Sequence, residues 1–275
     1  MLIASLMAAL LATTATLPAE RPARAAVDSP AVRMGASALK AKLASTGSEA
    51  PLDLSGVDLS GLDLRGVDFR RANLTGARLA GTKLAGANLY SCDLTDAVAG
   101  GADLTRANLD LSVLRRADLR KANLEGASLF ATIIEAADLS GANLSGTRII
   151  GYLRGAKLVG AVLTNANIGV DPGNQSMGVM RATFTSADLS GADFTGANLF
   201  KADFSHATLA GARLTRADLR NAELVQTDLT RADLSGARVA LANIDGADFT
   251  GATGVDRMEG LDQARNREKA IFDAK

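Results

Sequence analysis

Residues able to perform chemistry are scarce in this chain of 275 residues, which has one cysteine, Cys92, and one histidine, His206. A cysteine and a histidine in contact form a nucleophile and its base, and several such side chains together bind transition metals. Carboxylates held side by side, as those of Asp118 and Asp138 could be, can coordinate Ca²⁺. Which of these chemistries is available depends on the elements that position the side chains.

The composition excludes two classes of protein. The 30 basic residues balance the 30 acidic residues, so the chain has no net charge and lacks the basic excess of a dedicated nucleic-acid binder. A single cysteine excludes an intrachain disulfide framework. Because only 4% of the residues are aromatic and none is Trp, the core must consist of smaller aliphatic side chains.

Residues 1–26 have the layout of an export signal. An apolar stretch from Leu2 to Leu17 is followed by a polar, proline-containing segment and by Ala23-Arg24-Ala25, a small-x-small cleavage pattern. No Lys or Arg precedes the apolar stretch, so an uncleaved anchor or a tail is the alternative. We expect a cleaved signal and a periplasmic or secreted protein that is not stably inserted in a membrane after signal removal.

The rest of the chain is organised by a five-residue period. A bulky apolar residue occupies every fifth position, an Ala usually precedes it by two positions, and Asp or Asn often lies between them. Strict period five moves by about 140° per repeat around a helix and does not fit the alternation of a strand, so the pattern favours short extended pieces joined by turns. The first of these bulky residues are Leu54, Leu59, Leu64, Phe69, Leu74, Leu79, Leu84, Leu89 and Leu94.

Units such as Ala-Asp-Leu-Ser-Gly at 137–141 resemble the A(D/N)LXX motif of the pentapeptide-repeat family. The resemblance implies an all-β solenoid, specifically a right-handed quadrilateral β-helix with four repeats per coil. In that fold the Leu or Phe centre and the preceding Ala face the interior. We expect this β-helix over residues 51–253, as a rod of roughly nine coils and about 45 Å.

The pattern changes at both ends and once within the repeats. Residues 27–50 are expected to contain a linker and an N-terminal capping helix at about 37–44. Residues 254–275 are expected to form a C-terminal capping helix, with a partner-binding tail as the alternative. A loop is expected at about 170–181, either functional or a tolerated insertion. Because Ile149 and Phe184 are separated by a whole number of repeats, the solenoid should continue past it.

This fold separates the candidate chemical groups. Cys92 lies two positions before a centre and should be buried, whereas His206 lies two positions after one and should face solvent. They would be about five coils, roughly 25 Å, apart, which excludes a nucleophilic pair. Asp118 and Asp138 should stack one coil apart as solvated turn carboxylates. We therefore predict no enzyme activity, no cofactor and no metal site.

One outer region departs from the motif. Large apolar residues there replace the usual Ser, Thr, Asp or Asn, and clustered exposed apolar residues often mark an interface. We expect them to bind a protein partner or a second copy, unless the 149–184 segment folds back over them. The candidate residues are Tyr90, Leu111, Val113, Phe130, Ile133 and Ile150.

The leading interpretation is an exported, non-enzymatic structural or protein-interaction scaffold whose partner the sequence does not identify. The alternative comes from the family resemblance, because some members mimic B-form DNA and bind type II topoisomerase (gyrase). Basic pairs such as Arg70-Arg71 and Arg115-Arg116 interrupt any continuous acidic face of that kind.

Overall fold

The computed structural model describes residues 32–45, 51–170 and 181–274. From Asp53 onward the chain forms a coil that returns to the same side after 20 residues, with one parallel bridge per repeat. Four bridges per coil give the stack four faces, which we number one to four by their first bridges. These bridges are Asp53–Asn73, Asp58–Arg78, Asp63–Lys83 and Asp68–Asn88.

Each repeat pairs with both neighbouring coils and then turns. The backbone N–H of Leu74 donates to the Asp93 carbonyl at 2.7 Å, and that of Asn73 donates to the Leu52 carbonyl at 2.9 Å. The N–H of Ala77 then donates to the Leu74 carbonyl and closes the turn. Its third residue, Gly76, has a φ of 64°, as a type II turn requires. The predicted alternation of extended piece and turn is therefore confirmed.

The interior is filled by the repeat centres and by the alanines that precede them. Phe204 stacks on Phe184 with ring centroids 4.9 Å apart and meets the edge of Phe194 at 6.1 Å. Where a polar residue replaces the Ala, its side chain donates to the carbonyl of a repeat centre, either in the preceding coil, as Ser112 Oγ does to Leu89 at 2.9 Å, or in its own coil, as Thr147 Oγ1 does to Leu144 at 2.7 Å. The interior thus accepts small polar side chains because each finds a backbone acceptor.

One corner between faces four and one departs from the regular turn. Strands β1 (Ser128–Ile133) and β2 (Arg148–Tyr152) pair in parallel there, with a shift in register between Phe130 and Thr132. A Cβ on Gly151 would lie 2.4 Å from the Thr132 carbonyl oxygen, so only glycine fits this close approach. The residue missing between Ile149 and Leu153 is absorbed at this corner, and Asp138 consequently pairs with Lys157, 19 positions on.

The two parts of the solenoid form one stack. Tyr152 pairs with Thr183, and Lys157 pairs with Asp188, so the bridges continue across the predicted loop. Of the predicted loop at 170–181, only Val170 and Arg181 belong to the described residues.

The N-terminal end carries helix α1 (Ala36–Ser45), over the stretch predicted to be helical. Leu39 of α1 is fully buried and joins the hydrophobic core, while Arg33 extends the ladder by pairing with Asp58. The predicted signal at 1–26 lies outside the described residues. Within the described ranges, no helix has the length and apolar character needed to cross a bilayer.

The predicted C-terminal helix at 254–275 is wrong. The chain instead completes another coil, in which single 3-10 turns at Val255–Arg257, Leu261–Gln263 and Arg267–Lys269 replace the five-residue turns. The bridging residues Glu259, Arg265 and Ile271 are six positions apart. Left-handed backbone before each 3-10 turn, at Gly254, Gly260 and Asn266, interrupts any continuous α-helix.

Candidate partner-binding face

The fourth face differs from the other three in the position that follows each repeat centre. That position holds Tyr90, Phe130, Ile150 and Phe200 in coils joined by the fourth ladder. On the opposite second face the corresponding position holds mostly small or polar residues, among them Ser60, Ala80, Gly100, Ser140 and Ser190. At this position of the repeat, large apolar side chains are therefore concentrated on the fourth face, although Val159 on the second face and Val162 on the third are also exposed.

We call this row the apolar band. It also includes residues two positions after a centre on the same face, and its members come from six successive coils. At about 4.8 Å per coil, the band extends about 24 Å along the rod. Its members are Tyr90, Leu111, Phe130, Ile150, Val170 and Phe200.

The structure places the six predicted residues together but does not expose all of them. Tyr90 is 37% exposed, and Leu111, Val113 and Phe130 are half-buried. Ile133 and Ile150 are buried, at 6% and 2%, so the prediction that they are exposed is wrong.

Stacking of successive coils explains this burial. Ile133 lies in the first ladder between Val113 and Tyr152, and Ile150 pairs with Phe130 in the preceding coil. Side chains in one column are only about 4.8 Å apart, so Val113 and Tyr152 cover Ile133 from both sides. Ile150 has a large neighbour, Phe130, on one side only, because the next coil has Gly169 at the corresponding position. Ile133 and Ile150 therefore support the band, and its accessible surface lies on the other members.

Sequence reasoning missed Val170 and Phe200. The N–H of Val170 donates to the Phe200 carbonyl at 3.1 Å, which places both in the upper coils of the fourth face. Their apolar character at solvent-facing positions was a usable signal. The sequence did not indicate the face to which they belong, because the predicted loop at 170–181 does not reveal how many repeats it replaces.

Basic side chains contact the two phenylalanine rings of the band. The Arg148 guanidinium lies 4.5 Å from the centroid of the Phe130 ring. Lys201 and Arg220 lie 5.3 and 5.8 Å from the Phe200 centroid. These distances are those of cation–π interactions, which leave the cation facing the same solvent as the ring. The band therefore has a positive rim.

The carboxylates beside the band are already engaged. Asp218 Oδ2 lies 2.8 Å from Arg220 Nη2 and 2.7 Å from Arg238 Nη2. Burial acts to raise the pKa of Asp218, but the hydrogen bonds from Arg220 and the charge of Arg238 outweigh it and leave that pKa below its ordinary value. Asp110 Oδ1 accepts a hydrogen bond from the Phe130 N–H at 2.9 Å. Both carboxylates thus serve the fold.

Leu111 occupies a strained backbone position in this band. Its φ is 60°, in the left-handed region that bulky residues rarely adopt, at a turn position where other repeats often have glycine. Leu241, on the same face near the C-terminal end, has a φ of 61° and is 50% exposed. A leucine in left-handed backbone costs about 1–2 kcal/mol. Local conformation therefore does not account for the choice of leucine.

The groups that could perform chemistry lie apart from one another. The Cys92 thiol is buried, donates to the Phe69 carbonyl at 3.1 Å, and has its pKa raised by burial to about 12. His206 is exposed, five bridges along the first ladder from Asp93. The predicted positions of both residues are confirmed, and a thiolate–imidazole pair cannot form.

Asp118 and Asp138 pair across adjacent coils, as predicted. Arg120 lies 2.6 Å from the Asp118 carboxylate and 4.0 Å from that of Asp138, and its hydrogen bonds lower the pKa of Asp118. An arginine thus already occupies the position beside both carboxylates. Within the described ranges, no group of three or more His, Cys, Asp or Glu side chains is arranged to hold a metal ion.

The repeat pattern, the 20-residue bridges and the buried centres can be compared with known families. A family model described as Pentapeptide repeats matches in eight copies, over residues 53–90, 92–129, 107–146, 180–216 and 212–251. The chain belongs to the pentapeptide-repeat family. Pentapeptide-repeat structures imply that the coil is a right-handed β-helix.

Solved structures of pentapeptide-repeat proteins resemble the chain. HetL from the cyanobacterium Nostoc sp. strain PCC 7120, involved in regulation of heterocyst differentiation, is 31% identical over 86% of this chain and 99% of HetL, with a TM-score of 0.66. Alr5209 from Nostoc PCC 7120 is 31% identical over 42% of this chain and 84% of its own, with a TM-score of 0.33. QnrB1, a plasmid-mediated fluoroquinolone resistance protein, is 18% identical over 78% and 93%, with a TM-score of 0.34. No curated protein sequence matches the chain.

Proposed function

We propose that this pentapeptide-repeat protein is a non-enzymatic scaffold that binds another protein through its fourth face and acts after export. The observation that carries the proposal is the apolar band, which gives one side of a regular rod a surface unlike the others. Clusters of this kind are typical of sites for protein partners. The proposed export rests on the signal-like layout of residues 1–26.

Two further observations support a binding role over a catalytic one. The thiol of Cys92 is buried and held protonated by a raised pKa, so it is a poor nucleophile. HetL, which shares the fold at 31% identity, is described as a protein of regulation. Regulation by a rigid rod requires a partner.

The charge pattern does not favour DNA mimicry. Acidic side chains on the outer faces alternate with arginines that pair with them, as Arg70 does with Asp68 at 2.7 Å and Arg220 with Asp218 at 2.8 Å. A surface that imitates the phosphates of DNA needs a continuous negative charge, which these arginines interrupt.

The experiment combines localisation with site-specific crosslinking. N-terminal sequencing of the protein recovered from the periplasm or medium tests export, and a protein retained in the cytoplasm with residues 1–26 intact would contradict it. A photo-crosslinking amino acid is placed at Phe200 on the fourth face, at Val159 on the second face as the matched control, and at His206 and Val162 to sample the first and third faces.

A crosslink through any outer face to one discrete protein, which rebinds when purified, is the expected result and supports the scaffold. The fourth face is supported if that crosslink forms from Phe200 and not from Val159. A chain that crosslinks to no protein from any of the four faces would overturn the proposed function.

A further inference from the structure

The apolar band is not explained by the requirements of folding. The inner columns already fill the core, and the second face completes the same coils mostly with small or polar residues at the corresponding positions, with Val159 as its one large apolar residue there. Non-glycine residues take the left-handed turn position in many repeats, but among the described residues Leu111 and Leu241 are the only large apolar ones that do so, and Leu111 combines this backbone with an incompletely buried side chain. Residues that cost stability in this way persist where another requirement selects them. Contact with a ligand is such a requirement.

The size of the band limits what can cover it. It is about 24 Å long and one or two side chains, roughly 10 Å, wide, which gives a few hundred Å². A stable protein dimer buries about 800 Å² on each partner. The band is therefore too small to hold a second copy of this rod by itself, but it matches the face of a single helix.

The repeat distance along the band also fits a helix. The band presents about one large side chain per coil, every 4.8 Å or so, and an α-helix presents one side chain per turn along one face, every 5.4 Å or so. About four and a half helical turns, roughly 16 residues, would follow the band from Tyr90 to Phe200.

The charges around the band determine which charge a bound helix should carry. Four cations, Arg148, Lys201, Arg220 and Arg238, lie beside the band with two carboxylates. Asp218 lies between Arg220 and Arg238 and balances one of their two charges, and Asp110 keeps its charge while it accepts the Phe130 N–H, so the net charge of this group is positive. A helix with acidic residues beside its apolar stripe would complement this rim, and a basic helix would be repelled.

We propose that the apolar band binds an acidic amphipathic helix of another protein. This inference rests on the proposed scaffold function and names the class of partner. The apolar stripe of that helix packs on Tyr90, Leu111, Phe130, Val170 and Phe200, and its flanking Asp and Glu residues face Arg148, Lys201 and Arg220. Ile150 supports the floor of the site.

The test begins with a displayed library of random 18-residue peptides in a helical scaffold. Peptides are selected on the full-length protein and counter-selected on the Phe130→Asp/Phe200→Asp double variant. Both band residues are half-buried outside the core, so this variant should fold, and its circular-dichroism spectrum checks that it does.

We expect enrichment of peptides with apolar residues at helical spacing and an excess of Asp and Glu. Enrichment of basic or proline-containing extended peptides would overturn the proposal, as would the absence of any enrichment over the double variant.

Affinity measurements with the best selected peptide then locate the site. Phe200→Asp should weaken binding at least tenfold, Lys201→Glu should weaken it severalfold, and Val159→Asp on the second face should leave it unchanged. Leu111→Asn should weaken binding while leaving the fold at least as stable, a combination that a purely structural role would not produce. Equal losses from Phe200→Asp and Val159→Asp would contradict the assignment.

Two other occupants are outcomes of the same study. If the library yields no binding peptide and anionic phosphatidylglycerol vesicles bind the protein in a way that Phe200→Asp abolishes, the ligand of the band is a membrane surface and not a helix. A dimer in sedimentation equilibrium that Phe200→Asp dissociates would replace it by a second copy. If a native partner instead crosslinks through another face, the scaffold function stands and only this inference falls.

Discussion

The phenylalanines inside the coil and those on the fourth face follow different rules. Phe184, Phe194 and Phe204 occupy repeat centres, are fully buried, and contact one another through stacked and edge-on rings. Phe130 and Phe200 occupy the position after a centre, are half-buried, and contact cations. The inner phenylalanines occupy positions where the repeat motif has a large apolar residue, and they stabilise the stack. The outer phenylalanines occupy positions where the motif has a small or polar residue, and they stabilise the fold much less. The difference separates residues required by the fold from those available for recognition.

The largest expected effect comes from truncating one ring of each set. Phe204→Ala removes a fully buried ring and should lower the free energy of unfolding by about 3–5 kcal/mol. Phe200→Ala should lower it by less than about 1 kcal/mol, because only a partly exposed contact and weak cation–π interactions are lost. Urea denaturation followed by circular dichroism measures both. Equal losses of unfolding free energy in the two variants would contradict the distinction between the inner and the outer phenylalanines.

The second effect concerns the corner that carries part of the band. Gly151→Ala would place a Cβ 2.4 Å from the Thr132 carbonyl oxygen, and the backbone must shift to relieve it. We expect a loss of about 1–3 kcal/mol. Gly211→Ala is the matched control, since its Cβ would meet nothing within 4 Å and only its positive φ opposes the change, at about 1 kcal/mol. A smaller loss at Gly151 than at Gly211 would contradict the close packing of that corner.

The third prediction is a smaller effect, in which replacing the leucines with left-handed backbone increases the stability of the fold. Asn tolerates left-handed backbone better than Leu does, so Leu241→Asn should raise the free energy of unfolding by about 0.5–1 kcal/mol. Leu111→Asn should give a smaller gain, because Leu111 is less exposed and loses some packing. Thermal and urea unfolding provide the measurement. A clear destabilisation by either variant would show that these leucines serve the fold after all.

The smallest effect per residue is expected from the outer ion pairs at low pH. The partner arginines lower the pKa of Asp118, and that of Asp63 falls to about 2 through hydrogen bonds from Arg65. Because the folded-state pKa values lie below the ordinary value of 3.8, the stabilisation is present above that pH and is lost as the pH falls toward 2. Exposed pairs contribute little each.

Melting temperatures measured from pH 7 to pH 2 test this expectation. They should stay nearly constant down to about pH 4 and fall below it. Arg120→Met should reduce the slope of that fall slightly. A melting temperature that rises as the pH is lowered through this window would contradict the pairing.

Much of the fold follows from local sequence. The period of five fixes which side chains are buried, and Cys92 and His206 lie where that period places them. The C-terminal coil was mispredicted because Met258, Leu261 and Ile271 also fit an irregular helix. The six-residue spacing of Gly254, Gly260 and Asn266, each with left-handed backbone, was the signal for turns.

The candidate site could be predicted only in part, for two physical reasons. Burial within a column depends on the residues one coil away, so Ile133 and Ile150 resemble exposed residues in the sequence and are covered in the structure. The face of a residue depends on the number of completed quarter-turns, and a segment outside the repeat hides that number. Phe200 therefore keeps its place within the repeat, but its face is known only from the bridges.

The four-bridge coil also has a consequence for how such a chain can change its length. Insertion or loss of a single repeat between Phe130 and Phe200 rotates all later repeats by a quarter-turn about the axis of the rod. Phe200 would then lie on a neighbouring face and would no longer align with Phe130. Duplication of a full 20-residue coil restores the orientation and only lengthens the rod. Gain or loss of one repeat therefore keeps the buried side chains in the interior but changes the face on which each downstream surface residue lies. Duplication of a whole coil preserves both the interior and the faces.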